Sequence, residues 1–443
     1  MTYLVIIFGI LFFTFCIKGC KDALSWLVLL IFGSFWIFSL IGSQFQIQGL
    51  YLPQDSTILI CLLGVLFFTI GFLSVNITTG NIAYYNPRVL NASINGLLNN
   101  KIFKLSLVIS TLFILSQDII MYNVIIIKAA MSASELRRSV YGDDSIYSPL
   151  LRITQGLYFC WYIPIIRALF CYSLFLKRDR YTLLMFLLLF GYTALDAGRF
   201  GFIRALIPII AVIGLFQYVG RKLQLQKSQK RILWYIFSMA FFFVFMTSMF
   251  RMSQQSSKGN VEEGWTTTIN HISSYSIGPI VAFDQQIHSN FVNNIGGYGY
   301  GSISLWPFIT PYYRFQSGYK GINPNFVKFR EESEDNRIII GDNMAWNGLY
   351  TWNLNFYSDG GILGVILLNF LFGFLMRFCI KWIYRQETVY SFILCTLLLS
   401  FVIQAPMKLS DYSAFDPVFI IVLIILSNIE SRKSQGLKSL TVL

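Results

Sequence analysis

Apolar runs of bilayer length alternate with short polar connections along almost the whole chain. A hydrocarbon core about 30 Å thick takes roughly 20 helical residues to cross, and about eleven segments meet that criterion. They fall near 2–17, 24–43, 57–75, 102–126, 157–176, 182–198, 200–219, 231–250, 360–382, 388–405 and 414–429. The pattern predicts an all-α polytopic membrane protein. The first run has no basic stretch before it and no small-residue cleavage site after it, so it reads as a retained helix and not a removed signal peptide.

Two connections break the economy of short loops. The stretch 127–156 holds Arg137, Arg138, Asp143 and Asp144. The stretch 253–359 is far longer than ordinary connections, and loops of that length are functional or partly folded. The chain therefore divides into 1–252 (the first eight helices), 253–359 (a large extracytoplasmic loop) and 360–443 (three helices and a cytoplasmic tail). Inside the loop, Trp265 to Ile287 reads as an interfacial helix interrupted at Gly278-Pro279. Gly296 to Gly301 needs flexible or left-handed backbone, and Arg330 to Asp335 is a charge run facing water.

Composition supports the membrane reading. Hydrophobic residues make up 55% and charged residues 12% of the 443 positions, too little charge to cover a soluble surface of this size. The formal charge of +13 does not point to nucleic acid, because the basic residues sit between apolar runs. Alternate connections carry Lys18 and Lys21; Arg88, Lys101 and Lys104; Lys177, Arg178 and Arg180; the cluster Arg221 to Arg231; Lys381 and Arg385; and Arg432, Lys433 and Lys438. By the positive-inside rule these face the cytoplasm, which places the N-terminus outside and the C-terminus inside. Six of the seven cysteines lie within apolar runs and Cys20 just beyond one, so the pattern predicts neither a disulfide framework nor a zinc site.

Charge within a membrane is costly and therefore informative. Asp196, Arg199 and Arg204 surround the turn between the sixth and seventh helices. On one helix, positions 199 and 204 point about 140° apart and reach around a bound group from two sides. Guanidinium groups there suit a phosphate or pyrophosphate; the competing reading is an Asp196–Arg ion pair with snorkelling to headgroups. Arg167, beside Pro164, needs a partner, and Asp118 is a candidate. Arg377, near the cytoplasmic end of its helix, is expected to snorkel.

In the loop, a base near an attacking hydroxyl and cations near a departing phosphate would be useful chemistry. His271, His288 and Asp284 are the candidate bases, and each also reads as an ordinary exposed loop residue. Asp342, Asp359, Arg314, Arg330 and Arg337 share the loop, and Arg251 stands just before it. Tyr298, Tyr300, Trp306, Tyr312 and Tyr313 offer flat faces for sugar rings, or anchor the chain at the membrane interface. No HExxH, GxSxG, P-loop or Cys/His cluster occurs, so metalloprotease, serine hydrolase and ATPase chemistry have no motif behind them, and no metal or cofactor is expected.

Four stretches together resemble the Wzy-type oligosaccharide repeat-unit polymerases of O-antigen and capsule synthesis. Ala197-Gly198-Arg199-Phe200-Gly201-Phe202 resembles that family's turn opening an apolar helix. Ser274 through Gly278-Pro279 to Asp284 resembles its loop helix, and Trp306-Pro307 to Arg314 its aromatic, proline-containing segment. Asn347 through Tyr357, with Asp359, Gly360, Gly361 and Gly364, resembles the approach to the helix after the loop. Arg330 with Gly341, and Arg337 with Gly348, keep a spacing of ten residues between Arg and Gly that some members show.

The resemblance implies a fold similar to C-type membrane glycosyltransferases and O-antigen ligases, in a bacterial inner membrane. It implies an undecaprenyl-pyrophosphate-linked glycan as donor and a lipid-linked single unit as acceptor. A hydroxyl of the new unit would attack the anomeric carbon of the growing chain, and undecaprenyl pyrophosphate would leave without nucleotide, ATP or metal. Arg199, Arg204 and Arg314 would hold the pyrophosphate. Arg137 and Arg138 would meet glycan or lipid headgroup, with Arg330 and Arg337 in the same substrate-binding set. Chain-length-regulating and flippase partners follow from the resemblance alone. The rival readings are an O-antigen ligase and a transporter or flippase of the same lipid-linked units; a transporter would usually show repeats with broken helices, which are not evident here.

Overall fold

A computed structural model describes residues 1–46, 49–77, 86–121, 149–154, 158–176, 180–195, 205–217, 234, 238, 277–306, 308–309, 324–335, 338–342, 344–346, 350–406 and 416–440. The described elements, in chain order, are α1 (Thr2–Gly19), α2 (Ala23–Gly42), α3 (Asp55–Ser74), α4 (Pro87–Asn99), α5 (Lys101–Met121), α6 (Pro149–Thr154), α7 (Cys160–Leu176), α8 (Arg180–Leu195) and α9 (Pro208–Gln217). There follow α10 (277–287), α11 (Phe291–Asn294), α12 (Pro324–Arg330), β1 (Ile338–Gly341), β2 (Met344–Trp346), α13 (Trp352–Gln386), α14 (Val389–Gln404) and α15 (Asp416–Leu440). Among the described residues four helices are long and apolar enough to cross a membrane: Ala23–Phe45, Asp55–Ser74, Lys101–Ile120 and Trp352–Gln386. Shorter apolar helices accompany them at Thr2–Cys16, Cys160–Leu174, Arg180–Thr193 and Val389–Gln404. This is a mostly helical membrane protein. The expected helix at 231–250 lies outside the described residues except for Trp234 and Ser238.

The chain forms two compact units. The first comprises Met1–Tyr85, Asn270–Arg385 and Leu397–Val422. Its core is aromatic. Phe32 of α2 stacks on Phe68 of α3 at 4.0 Å, and the fully buried Trp352 lies 6.0 and 5.9 Å from those two rings. Phe356 and Phe372, at 5.3 and 5.4 Å from Trp352, close the cluster. Such pairs add about 0.5–1.5 kcal/mol each beyond the area they bury. Helices α3 and α13 approach to backbone contact: a side chain at Gly71 would overlap the carbonyl of Phe370, and one at Gly373 the carbonyl of Phe68. Small residues at a crossing let membrane helices pack this closely.

The same unit corrects the expectation for Arg377. Its side chain is 3% exposed, with Nη1 3.2 Å from Asp22 Oδ1 and the guanidinium 5.0 Å above the Phe72 ring. Asp22 Oδ2 also accepts from Ser25 N at 2.9 Å, capping α2, and from Tyr384 Oη at 3.2 Å. Hydropathy placed Arg377 near a helix end, yet a buried acid from the α1–α2 turn holds it inside and it does not snorkel.

Described parts of the stretch 253–359 also belong to this unit. They include an element that the hydropathy pattern does not mark, the antiparallel hairpin β1–β2. Its β1 edge takes the α2–α3 connection as a further short strand: Tyr51 N donates to Ile340 O at 2.8 Å, Asp342 N donates to Gly49 O at 3.0 Å, and Leu50 bridges Gly341.

The second unit comprises Asn86–Ile269, Gln386–Thr396 and Leu423–Leu443. Helix α4, outside the expected set, is amphipathic. Asn86 caps it by accepting from Arg88 N at 3.0 Å, Pro87 occupies the first turn, and Leu90, Ile94 and Leu98 are buried. Ser93 donates to Glu430 at 2.7 Å and accepts from Val389 N at 2.7 Å, tying α4 to α15 and α14. Asp118 of α5, the proposed partner of Arg167, lies against Gly191 of α8.

Candidate functional site

Gln54 stands at the N-cap of helix α3, and its side chain makes no capping bond. The first N–H groups of a helix need acceptors, and its positive end favours a carboxylate. Asp284 of α10 supplies both. Its Oδ1 accepts from Gln54 N at 2.9 Å and from Thr57 Oγ1 at 2.5 Å, and the residue is 3% exposed. A long-range cap therefore binds α10 to the head of α3.

His288 follows one turn later on the same face. Its Nδ1 lies 2.9 Å from Asp284 O and 3.3 Å from Asp284 Oδ1, while Nε2 lies 3.2 Å from Ser56 Oγ. Two acceptors at Nδ1 assign the ring hydrogen there. Nε2 then keeps its lone pair and accepts from the Ser56 hydroxyl. The His288 side chain is 32% exposed and Ser56 is exposed, so the ring edge and the hydroxyl are reachable from outside the protein. Chemically, this row can take a proton at Nε2 while the buried carboxylate stabilises the imidazolium that results.

The second carboxylate of this region, Asp359, has a different task. It accepts from Ile303 N at 2.9 Å and Ser304 N at 2.8 Å. Gly299 N donates to Ser358 O and Tyr300 N to Asp359 O, at 2.9 and 2.8 Å. These bonds fasten the glycine-rich segment to α13 just before its break at Gly360 and Gly361, where Gly361 has φ of 61°. The Tyr298 hydroxyl fills the space that a side chain at Gly361 would need. Tyr298 and Tyr300 are exposed, the latter at 87%, whereas Trp306 stacks on Phe326 at 4.3 Å. Arg330 is exposed at the end of α12, and Asp342 is exposed in the hairpin.

Of the sequence-derived candidates, Asp284 and His288 are brought together. His271, Arg137, Arg138, Arg199, Arg204, Arg314 and Arg337 lie outside the described residues. Among the described residues no group of three His, Cys, Asp or Glu side chains is placed to hold a metal ion. None of the seven cysteines is in a disulfide. Sequence reasoning passed over Ser56 and Thr57, because Gln54-Asp55-Ser56-Thr57 at the head of an apolar run reads as an ordinary helix start. The chain matches no family model, no curated protein and no solved structure.

Proposed function

We propose that this protein is a membrane glycosyltransferase that polymerises undecaprenyl-pyrophosphate-linked repeat units at the outer face of a bacterial inner membrane. The reading takes about eleven spans with the N-terminus outside, as the hydropathy and charge pattern gives them. The observation that carries it is the Asp284–His288 pair, which presents His288 Nε2 as a proton acceptor at an exposed edge, beside the Ser56 hydroxyl at the N-terminal end of α3. In the reaction, the acceptor sugar hydroxyl gives its proton to His288 Nε2 as its oxygen bonds to the anomeric carbon of the growing chain. The bond from that carbon to the pyrophosphate oxygen breaks, and undecaprenyl pyrophosphate departs with the electron pair. Asp284 keeps the ring oriented and stabilises its positive charge. Arg199, Arg204 and Arg314 are the residues we assign to the departing pyrophosphate, on the resemblance described above.

The test is the surface-glycan ladder of a deletion strain complemented with wild type, His288→Gln or Arg199→Ala. The reading expects core capped by a single unit in the deletion, a full ladder with wild type, and a ladder lost or sharply shortened with either variant. A deletion that leaves no capped core makes the protein a ligase or a flippase. Normal ladders with His288→Gln remove the base from the mechanism.

A further inference from the structure

We propose that Ser56 is a nucleophile activated by His288 and Asp284, and that it accepts an acyl group from the carboxylic ester of a membrane lipid. This goes beyond the polymerase reading and does not depend on it, since it needs neither glycan nor pyrophosphate. The three side chains stand in the order of an acyl-transfer triad. Ser56 Oγ is 3.2 Å from His288 Nε2, and His288 Nδ1 faces Asp284 Oδ1 at 3.3 Å and Asp284 O at 2.9 Å. Asp284 is itself fixed by Gln54 N and Thr57 Oγ1, as an orienting carboxylate must be.

The surroundings also suit tetrahedral chemistry. Thr57 N and Ile58 N both donate back to Gln54 O, which leaves the N–H groups of Asp55 and Ser56 as the open donors of α3 among the described residues. Donors at a helix start are suited to an oxyanion developing beside Ser56. Two carboxylates, those of Asp55 and Asp284, stand near the serine. They disfavour an anionic phosphodiester and favour an uncharged carboxylic ester.

The lipid follows from the face of α3 on which Ser56 sits. Ser56, Leu59, Leu63, Leu66 and Ile70 recur at spacings of three and four, so they form one stripe along the helix. Leu59, Leu66 and Ile70 are 43%, 40% and 44% exposed, and Thr57 and Cys61 on another face are buried. The hydroxyl thus stands at the head of an apolar strip along which an acyl chain can lie. The ester of a lipid sits at the boundary between headgroup and hydrocarbon, at the level of such a helix end.

In the step, Ser56 Oγ bonds to the ester carbonyl carbon and its proton passes to His288 Nε2. The carbonyl oxygen takes up the electron pair and returns it as the carbon–alkoxide bond breaks. The alcohol leaves with the proton from His288, and Ser56 carries the acyl ester until water removes it by the same path.

The experiment uses the full chain in native membranes with alkyl fluorophosphonates, in which the serine displaces fluoride. Peptide mass analysis should find the adduct on Ser56 and none in Ser56→Ala, and His288→Gln should slow labelling by about a hundredfold. A dodecyl probe should label about tenfold faster than a methyl probe, because its chain has apolar surface to cover. Ser56→Cys gives a second readout: alkylation of the introduced thiol by iodoacetamide should fall when His288→Gln is added. No adduct at Ser56, labelling indifferent to His288, or a thiol in Ser56→Cys whose reactivity is indifferent to His288 overturns the nucleophile. Equal rates for the two chain lengths overturn the lipid ester. None of these readouts involves glycan, so their failure is distinct from a failed ladder.

Discussion

Asp22 and Arg377 meet at 3.2 Å with side chains 0% and 3% exposed, joining the turn after α1 to the far part of α13. Removing one partner leaves the other charge buried without compensation. Asp22→Ala should therefore destabilise the detergent-solubilised protein by about 3–5 kcal/mol, and Asp22→Asn somewhat less. The double variant Asp22→Ala/Arg377→Met should recover most of the loss, because it removes both buried charges. Thermal unfolding of the four proteins checks this; a double variant as unstable as Asp22→Ala would show that the pair's worth lies elsewhere.

Asp284 is expected to separate stability from chemistry. Asparagine can still accept from Gln54 N and Thr57 Oγ1 but carries no charge to stabilise a protonated His288. Asp284→Asn should melt close to wild type while losing activity, whereas Asp284→Ala should lose the cap as well and fall by about 1–2 kcal/mol. Melting curves and the ladder assay, run side by side, distinguish the two effects.

Asp359 receives two backbone N–H groups from the segment after the glycine run. Its replacement by alanine should cost about 1.5–3 kcal/mol for each charged bond lost, tempered by access of water to the opened segment. Limited proteolysis should then cut near Gly299 to Leu305 before the rest of the chain. Unchanged protection of that segment would contradict the assignment.

Two glycines should respond in opposite directions. Gly373→Val must push α13 away from α3, since its side chain would meet the Phe68 carbonyl, and loss of folded protein is expected. Gly96, in the amphipathic α4, has open space around it, and Gly96→Ala should stabilise by about 0.5–1 kcal/mol. Size-exclusion yield and melting temperature report both.

These outcomes also mark where the sequence was legible. Helices such as α2 and α3 follow from unbroken apolar runs, because an apolar run of sufficient length is what a bilayer demands. Helix α4 escaped the same test, since Leu90, Ile94 and Leu98 are diluted by Asn and Ser; its signal was Asn86-Pro87, a cap and a first-turn proline. The hairpin's trace is Ile338-Ile339-Ile340 followed by Gly341-Asp342, a β-branched run and a turn just beyond the charge run Arg330 to Asp335. A helical stretch from Trp352 precedes the one expected over 360–382, and the non-helical backbone of Gly360 and Gly361 separates the two within α13. Arg377's depth was readable but its partner was not, as hydropathy carries no information on which distant residue stands opposite. At the site, Asp284 and His288 were visible as titratable residues four apart. Ser56 was not, because nothing local distinguishes a serine facing a distant imidazole from one that starts a helix.

The strand formed by Gly49 to Tyr51 is paired, among the described residues, by β1, which sets an order of events during synthesis. The ribosome must add roughly 290 further residues before Gly341 exists, a delay of about 15–60 s at ordinary elongation rates. Throughout that interval the α2–α3 connection lacks the strand that pairs with it. Assembly of the first unit therefore waits on the residues around Gly341 and not on the early helices alone, and truncation before residue 341 should yield a nascent chain whose α2–α3 connection is open to proteases and chaperones.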